Sequence, residues 1–453
     1  MIDTFIEKLS WFNDNIIWGT WLLVVLLGVG ILYTVATGGI QFRHFGYIFR
    51  TTFFEPLKNR SKGSDDEGAI TSFQALCTAV ASCVGGGNIV GVGTAIAAGG
   101  VGAIFWMWAA ALVGMATKYG EIVLGLLYRE RNHEGKWVGG PFFYIEKGLH
   151  MKWLAVLTAV FLVLQIIGGN FIQSNNISGA LFENFHIPTL VTGILLVIVI
   201  FIITLGGLKR LASFAQKVVP AMAVLYFVGG IVIILANISS LPSAIASIFT
   251  EAFSFKAVAG GTGGYVIMTA MKKGIARGLY SNEAGEGSAP IIHAAADVKH
   301  PVEQGINGVT EVFLDTFVIC TVTGLAIAVT GVHNSPGLLG NQYSIMAFGS
   351  LWPPLQYVVS ISLILFCLTT LMGQWYFGYV GLDYIFGDNA ADKFKYVFPF
   401  FCIIGAILKI DLVWTIQDIA LGLLTIPNLI ALIILFPKVR ESTKDFFRSK
   451  DGK

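Results

Sequence analysis

The sequence predicts an all-α integral membrane protein of about eleven transmembrane helices, and three observations carry that prediction. Of the 453 residues, 55% are hydrophobic and only 12% charged, whereas soluble domains carry about 25% charged residues. Apolar runs long enough to cross a bilayer follow one another along the chain, separated by polar connections. One of these runs is interrupted at its midpoint by three glycines, Gly85-Gly86-Gly87. An opened backbone at that depth survives only when buried in protein or lining a polar cavity.

The spans fall near 16–37, 70–98, 102–128, 152–183, 188–206, 213–236, 262–297, 303–331, 353–386, 395–410 and 413–436. The first follows an acidic leader, Met1–Asn15, and outlasts the apolar core of a cleavable signal peptide. Residues 1–69 therefore comprise a terminus, one helix and a basic connection. The second span carries the glycine break. The third contains Trp106 and Trp108, which read as interfacial anchors. The fourth places Gln165, Asn170 and Gln173 at mid-membrane beside Gly168 and Gly169, and buried amides there need a cavity or a partner helix. Asn170 and Gln173 lie three apart on one helical face, so either pocket lining or interhelical hydrogen bonding follows.

The fifth and sixth spans complete a first group, 70–236, and a loop, 237–261, leads to a second, 262–436. The seventh span holds Lys272, Lys273 and Arg277, then Glu283 and Glu286, among Gly274, Gly278, Gly285 and Gly287. Charges so deep pair with one another or face water, and Arg277 with Glu283 or Glu286 is the expected pair. In the eighth, Glu311 and Asp315 lie four apart, either as a cation or proton site or in a structural pair with Lys118. The ninth carries Thr369-Thr370 and, one turn on, Met372-Gly373-Gln374-Trp375. Beyond the tenth and eleventh spans, 437–453 reads as a basic tail.

Lysine and arginine set the orientation. Five lie in 38–69, five in 129–153, three in 207–217, two in 387–395 and six in the tail, with Lys299 beside His300. The other set of connections offers only Lys8, Lys256 and Lys409. The N-terminus is therefore expected outside and the C-terminus in the cytoplasm of a cell-membrane protein. With the first span set aside, two groups of five remain, and an odd number per group inverts one relative to the other. Each group opens on a glycine-interrupted segment, the best sequence pointer to a transport site. Close packing of glycine against a neighbouring helix is the alternative.

Breaking the second span exposes carbonyls at the end of one half-helix, near Val84, and amide donors at the start of the next, near Asn88. Those ends carry about half a charge each, negative and positive respectively. Such a site suits a small cation together with a carboxylate, hence a zwitterion such as an amino acid accompanied by Na⁺. The five cysteines (Cys77, Cys83, Cys320, Cys367 and Cys402) all lie in apolar spans without metal-ligand spacing and read as small buried hydrophobes. No repeated carbonyl-filter motif points to a channel. No HExxH, CxxC or GxxxxGK[ST] points to an enzyme, so neither catalytic residues nor a cofactor nor a nucleic-acid partner is expected.

The chain resembles the alanine/glycine:cation symporter family through Gly99-Gly100-Val101-Gly102-Ala103-Ile104-Phe105-Trp106-Met107-Trp108 and the run Ala276–Pro290 (ARGLYSNEAGEGSAP), supported by Gly87-Asn88-Ile89-Val90-Gly91-Val92. Gly86 departs from the family pattern, where threonine is common. The resemblance extends over roughly 70–436 and implies a LeuT-type core of five plus five inverted helices behind one additional N-terminal helix. It implies sodium-coupled symport of alanine, glycine or another small neutral amino acid, with proton coupling the alternative. The likeness of Val84-Gly85-Gly86-Gly87-Asn88 to the first core helix of that fold implies that the amides of Gly86 and Gly87 receive the substrate carboxylate. Ser82, Cys83, Gly85, Asn88, Asn170, Phe171, Gln173, Thr370, Gln374 and Trp375 are the further substrate candidates. The carbonyls of Ala81, Val84 and Phe366 and the hydroxyls of Thr369 and Thr370 are the implied sodium ligands, five oxygens suited to a hard cation.

Overall fold

The computed structural model describes residues 2–54, 66, 68–253 and 263–451. Lys58, Arg60, Lys62, Lys256 and Lys453, used above for orientation, and residues 254–262 of the 237–261 loop lie outside the described residues.

Helices stand at all eleven predicted positions. Among the described residues six are long and apolar enough to cross a membrane alone, and two more qualify as bent pairs, Ile6–Ile17 with Thr20–Ala36 and Ser72–Cys83 with Gly87–Gly99. The other three depart from a simple span. Thr189–Thr204 is apolar but only 16 residues long. The seventh divides into Gly263–Asn282 and Ala289–His293. The tenth is a short tandem, Phe398–Phe400 and Phe401–Ile407, opened by Pro399. Lipid-facing sides are legible as apolar stripes at helical spacing: Leu190, Ile194, Ile198 and Ile202 are each about half exposed.

Local chemistry sets the ends of the two interrupted spans. Thr71 caps Ser72–Cys83 in a reciprocal box, its hydroxyl accepting from Gln74 N at 3.1 Å while Gln74 Oε1 accepts from Thr71 N at 3.1 Å. The preceding Ile70–Thr71 pairs in parallel with Ala296–Asp297, which follows the seventh span. Arg129 clasps the same corner, donating to the carbonyls of Ala294 at 2.8 Å and Ala296 at 2.7 Å. The two broken segments are thereby hydrogen-bonded side by side. Ala103–Leu127 packs against both pieces of the seventh span, Gly263–Asn282 and Ala289–His293, and against Pro301–Val312. Lys152–Phe185 packs on Leu355–Phe386 and on the last helix, Ile410–Asp451.

Two connections carry more structure than a loop or a tail. The 237–261 loop contains helix Leu241–Ala252, and a Cβ on Gly102 would stand 2.8 Å from Ala252 Cα. Glu251 Oε2 accepts from Val101 N at 3.0 Å. The Gly99–Gly102 run is thus a seat for that helix, and Gly100 adopts a φ of +73° that only glycine takes readily. The expected tail does not separate, because the last helix continues through Pro437 to Asp451. Phe446 is buried there, and Thr443 Oγ1 meets Tyr119 OH at 2.7 Å.

Candidate functional site

The glycine break is a 49° bend between Ser72–Cys83 and Gly87–Gly99. Val84 turns extended, with φ −75° and ψ 96°, and Gly86 keeps ordinary helical angles of −58° and −24°. None of the three glycines has a positive φ, so space rather than backbone freedom requires them. A Cβ on Gly85 would stand 2.5 Å from Thr370 Oγ1, one on Gly86 would strike the Asn176 amide, and one on Gly87 would stand 3.0 Å from Tyr280 Cδ1. Helices four, seven and nine converge on this short piece of bare backbone.

The polar ends of the break are engaged by side chains. Asn88 Oδ1 accepts from Gly85 N at 2.9 Å, and its Nδ2 donates to Asp315 Oδ1 at 2.5 Å. Asn88 therefore caps the break and ties it to the eighth span. Gln173 Oε1 accepts from Gly86 N at 3.1 Å, while Gln173 Nε2 donates to Tyr280 OH at 3.1 Å. The Gly86 amide, implied above as a carboxylate donor, is held in this conformation by the Gln173 side chain.

Four of the five implied sodium oxygens meet at one point. Thr370 Oγ1 lies 3.2 Å from Ala81 O, 3.3 Å from Val84 O and 3.0 Å from Phe366 O. A hydroxyl owns one proton and satisfies one of these carbonyls fully. Thr369 behaves differently: its hydroxyl lies 2.9 Å from Phe366 O and 3.8 Å from Met222 Sδ. Helices two and nine approach this closely because Gly373 lies on Ser82, whose hydroxyl bonds back to Ala79 O at 2.7 Å. Cys83 likewise bonds back to Val80 O at 3.6 Å. In Gly373→Ala the new Cβ would stand 2.5 Å from Ser82 Cβ and 3.0 Å from Ser82 Cα. Overpacking of that kind costs about 1–3 kcal/mol. The variant is expected to melt earlier and to need more Na⁺ for half-maximal uptake. Wild-type values on both measurements would show that the seam tolerates separation.

The remaining fourth- and ninth-span candidates divide. Only Gln173 reaches the break. Asn170 Nδ2 donates to Phe398 O at 3.3 Å and its Oδ1 accepts from Ser174 at 3.2 Å, so it binds helix to helix. Phe171 packs on the tenth span, with its ring 6.1 Å from that of Phe401 and its Cα against Gly405. The expected single lining face for Asn170 and Gln173 is split, because residues three apart still differ by about 60° around a helix. The Gln374 amide fills the space that Gly169 leaves, and Gln417 fills that beside Gly168. Gln374 Oε1, Trp375 Nε1 and both Gln417 side-chain polar atoms are buried without a hydrogen-bond partner among the described residues.

The second break lies at 283–288, between Asn282 and Ala289, with Glu283 at φ 55° and Gly285 and Gly287 each at +95°. The expected pairing of Arg277 with Glu283 or Glu286 does not form. Arg277 instead makes a two-pronged bond to Asp418 of the last helix at 2.5 and 2.8 Å and lies 4.1 Å over the Trp414 ring. Arg277 precedes the break and projects toward the last helix, whereas Glu283 Oε2 accepts from Ser288 Oγ at 2.7 Å. Of the pair on the eighth span, Glu311 bonds Lys118 at 2.6 Å, the structural arrangement, and Asp315 does not. Tyr280, Asn176 and Asp418 were not singled out by sequence. A lone aspartate in an apolar span was the available signal for the last of them.

The sodium:alanine symporter family model matches residues 3–453. The chain is 39% identical to a sodium/alanine symporter of Methanococcus maripaludis, over 96% of this chain and 95% of that protein. It is 36% identical to a probable sodium/glutamine symporter of Bacillus subtilis, over 98% and 91%. In fold it is similar to the crystal structure of MhsT in complex with L-phenylalanine, with a TM-score of 0.58 and 16% identity over 83% of this chain and 89% of that one. The architecture is accordingly that of the LeuT-type transporters, as the family resemblance implied. The chain belongs to the sodium:alanine symporter family and is a multi-pass membrane protein, a sodium-coupled amino-acid transporter and not an enzyme.

Proposed function

We propose that the protein carries alanine, or another small neutral amino acid such as glycine, into the cell by Na⁺-coupled symport and alternating access. One observation supports this reading above the rest: the Thr370 hydroxyl lies within 3.0–3.3 Å of three carbonyls drawn from two broken or facing helices. Oxygens so arranged suit Na⁺, and the cation joins helix two to helix nine. Thr369 acts on the set indirectly, by bonding the Phe366 carbonyl. Repeats 70–236 and 262–436 move against each other about this joint, with the N-terminus outside and the C-terminus in the cytoplasm.

The substrate carboxylate takes the amides of Gly86 and Gly87, and the Gln173 carboxamide oxygen gives way to it. The freed Gln173 amide remains within reach of both substrate and Tyr280. The ammonium group is received on the carbonyl side of the break, near Ala81, Ser82 and Cys83. Gln374 and Trp375, whose Oε1 and Nε1 are buried without a partner among the described residues, bound the pocket toward the side chain. The Arg277–Asp418 pair, above Tyr280, closes the outer path. Coupling requires that Na⁺ and amino acid each raise the other's affinity by the same factor.

The test is uptake into liposomes holding the purified protein, with a Na⁺ gradient, a proton gradient or neither, against alanine, glycine, glutamine and leucine. Na⁺-dependent, saturable uptake favouring the small substrates is expected. Uptake driven equally by a proton gradient without Na⁺ would overturn the sodium assignment. Alaninamide, which lacks the anion that helix-end amides recognise, should compete at least tenfold more weakly than alanine. Equal competition would remove Gly86 and Gly87 from the carboxylate site.

A further inference from the structure

Beyond the break, the interior holds an excess of negative charge. Glu121, Glu283, Glu286, Glu311 and Asp315 are all at most 5% exposed, and Lys118, fully buried, is the one lysine among them. Its amine bonds Glu311 at 2.6 Å and the Asn282 carbonyl at 2.7 Å. His293 bonds Glu311 through Nε2 at 3.1 Å and Gln304 through Nδ1 at 2.7 Å. Four of these carboxylates have donors. Glu121 accepts from Gly285 N and Asn428, Glu283 from Ser288, Glu311 from Lys118 and His293, and Asp315 from Asn88, Ser281 and Thr316. Glu286 has none: both carboxylate oxygens are buried without a partner among the described residues, and the side chain is 1% exposed.

We propose that Glu286 is a proton-binding site of the transport cycle, holding a proton in the conformation described and releasing it when the 283–288 segment opens. The charged groups facing it are Glu283 on its own segment and Lys118 and Glu121 on Ala103–Leu127. The titratable Tyr280 hydroxyl is within electrostatic reach of Glu286 as well, and Glu311 and Asp315 of the eighth span act on the neighbouring Glu283. An ionised carboxylate placed among them, undonated and out of water, would be strongly disfavoured. A proton on Glu286 removes one unit of the excess.

The site is connected to the break. Gly285 N is held by Glu121 at 3.0 Å and Gly285 O by Asn428 at 2.9 Å. Ser281, just before the segment, bonds the Asp315 that Asn88 holds from the glycine break. These hydrogen bonds link the glycine break to the segment that carries Glu286. The inference rests on the transport reading above and assigns the event that follows substrate binding.

The experiment compares Glu286→Gln with wild type in liposomes, at saturating Na⁺ and alanine, across internal pH. Raising pH ionises Glu286 whenever the segment opens and opposes its closure. Wild-type uptake should then fall with rising pH, by up to about tenfold per unit, while the permanently neutral variant transports with a flat profile. A variant profile that follows wild type would overturn the proposal. Should the variant fail to insert, infrared difference spectra of wild type on adding Na⁺ and alanine carry the test. Loss or shift of a protonated carboxyl band on isotope-labelled glutamate is expected, and no change would overturn it. A lowered Hill coefficient for Na⁺ in the variant, with the pH profile unchanged, would also overturn it in favour of a cation site. Absence of any Na⁺-dependent uptake by wild type would defeat the symport reading instead, and the infrared measurement would still decide Glu286.

Discussion

Replacing Thr370 with valine should raise the Na⁺ concentration for half-maximal uptake by about ten- to a hundredfold. The change keeps the side-chain volume and removes an oxygen that lies 3.0–3.3 Å from the carbonyls of Ala81, Val84 and Phe366. Loss of a charged contact costs about 1.5–3 kcal/mol, and each 1.4 kcal/mol is about tenfold in affinity. Thr369→Val should have a much smaller effect, because that hydroxyl contacts only Phe366 O and Met222 Sδ. Measuring Na⁺ dependence of alanine uptake in both variants, with insertion verified, separates the two. Equal effects, or no effect of Thr370→Val, would show that the oxygen cluster is a packing feature of helix nine.

Asp418→Asn should be among the most destabilising single changes in the protein. The substitution preserves shape but leaves the Arg277 guanidinium buried opposite a neutral amide, at sites only about 5–7% exposed. Breaking a buried pair from one side typically costs about 3–5 kcal/mol, and removing both charges costs much less. Arg277→Gln with Asp418→Asn should therefore recover a large part of the thermal stability lost in Asp418→Asn. The backbone around the pair is also braced by the extra N-terminal helix, since Trp18 Nε1 donates to Asp418 O at 2.9 Å. Uptake should fall in both variants, because the pair joins the seventh span to the last directly beside Tyr280, whose ring packs on Gly87. Stability of Asp418→Asn equal to wild type, followed by detergent melting, would mean that water or lipid headgroups already screen the pair.

Much of the architecture was legible because a bilayer constrains sequence so tightly. Charged residues are excluded from apolar runs, so the run lengths reveal the spans, and three adjacent glycines in such a run have few uses. Gln173 announced itself in the same way, as an amide at a depth where it must find a partner. What misled was local spacing. Asn170 and Gln173 share a face by sequence yet reach different helices, and Arg277 lies near Glu283 along the chain yet pairs with Asp418, 141 positions away. Proximity along the sequence favours a pair only where no other helix supplies a better geometry.

By itself the sequence determined an all-α membrane protein with two matching, inverted, glycine-broken segments and the family to which it belongs, since hydropathy and short motifs are properties of contiguous residues. Only the tertiary structure decided which of the two threonines meets the oxygens of helix two, where the seventh span breaks, why Gly85, Gly86 and Gly87 must lack side chains, and which buried carboxylate is left without a donor. Each of those depends on the rotation and approach of helices distant in sequence, which is set by packing against several neighbours at once and leaves no local trace in any one of them.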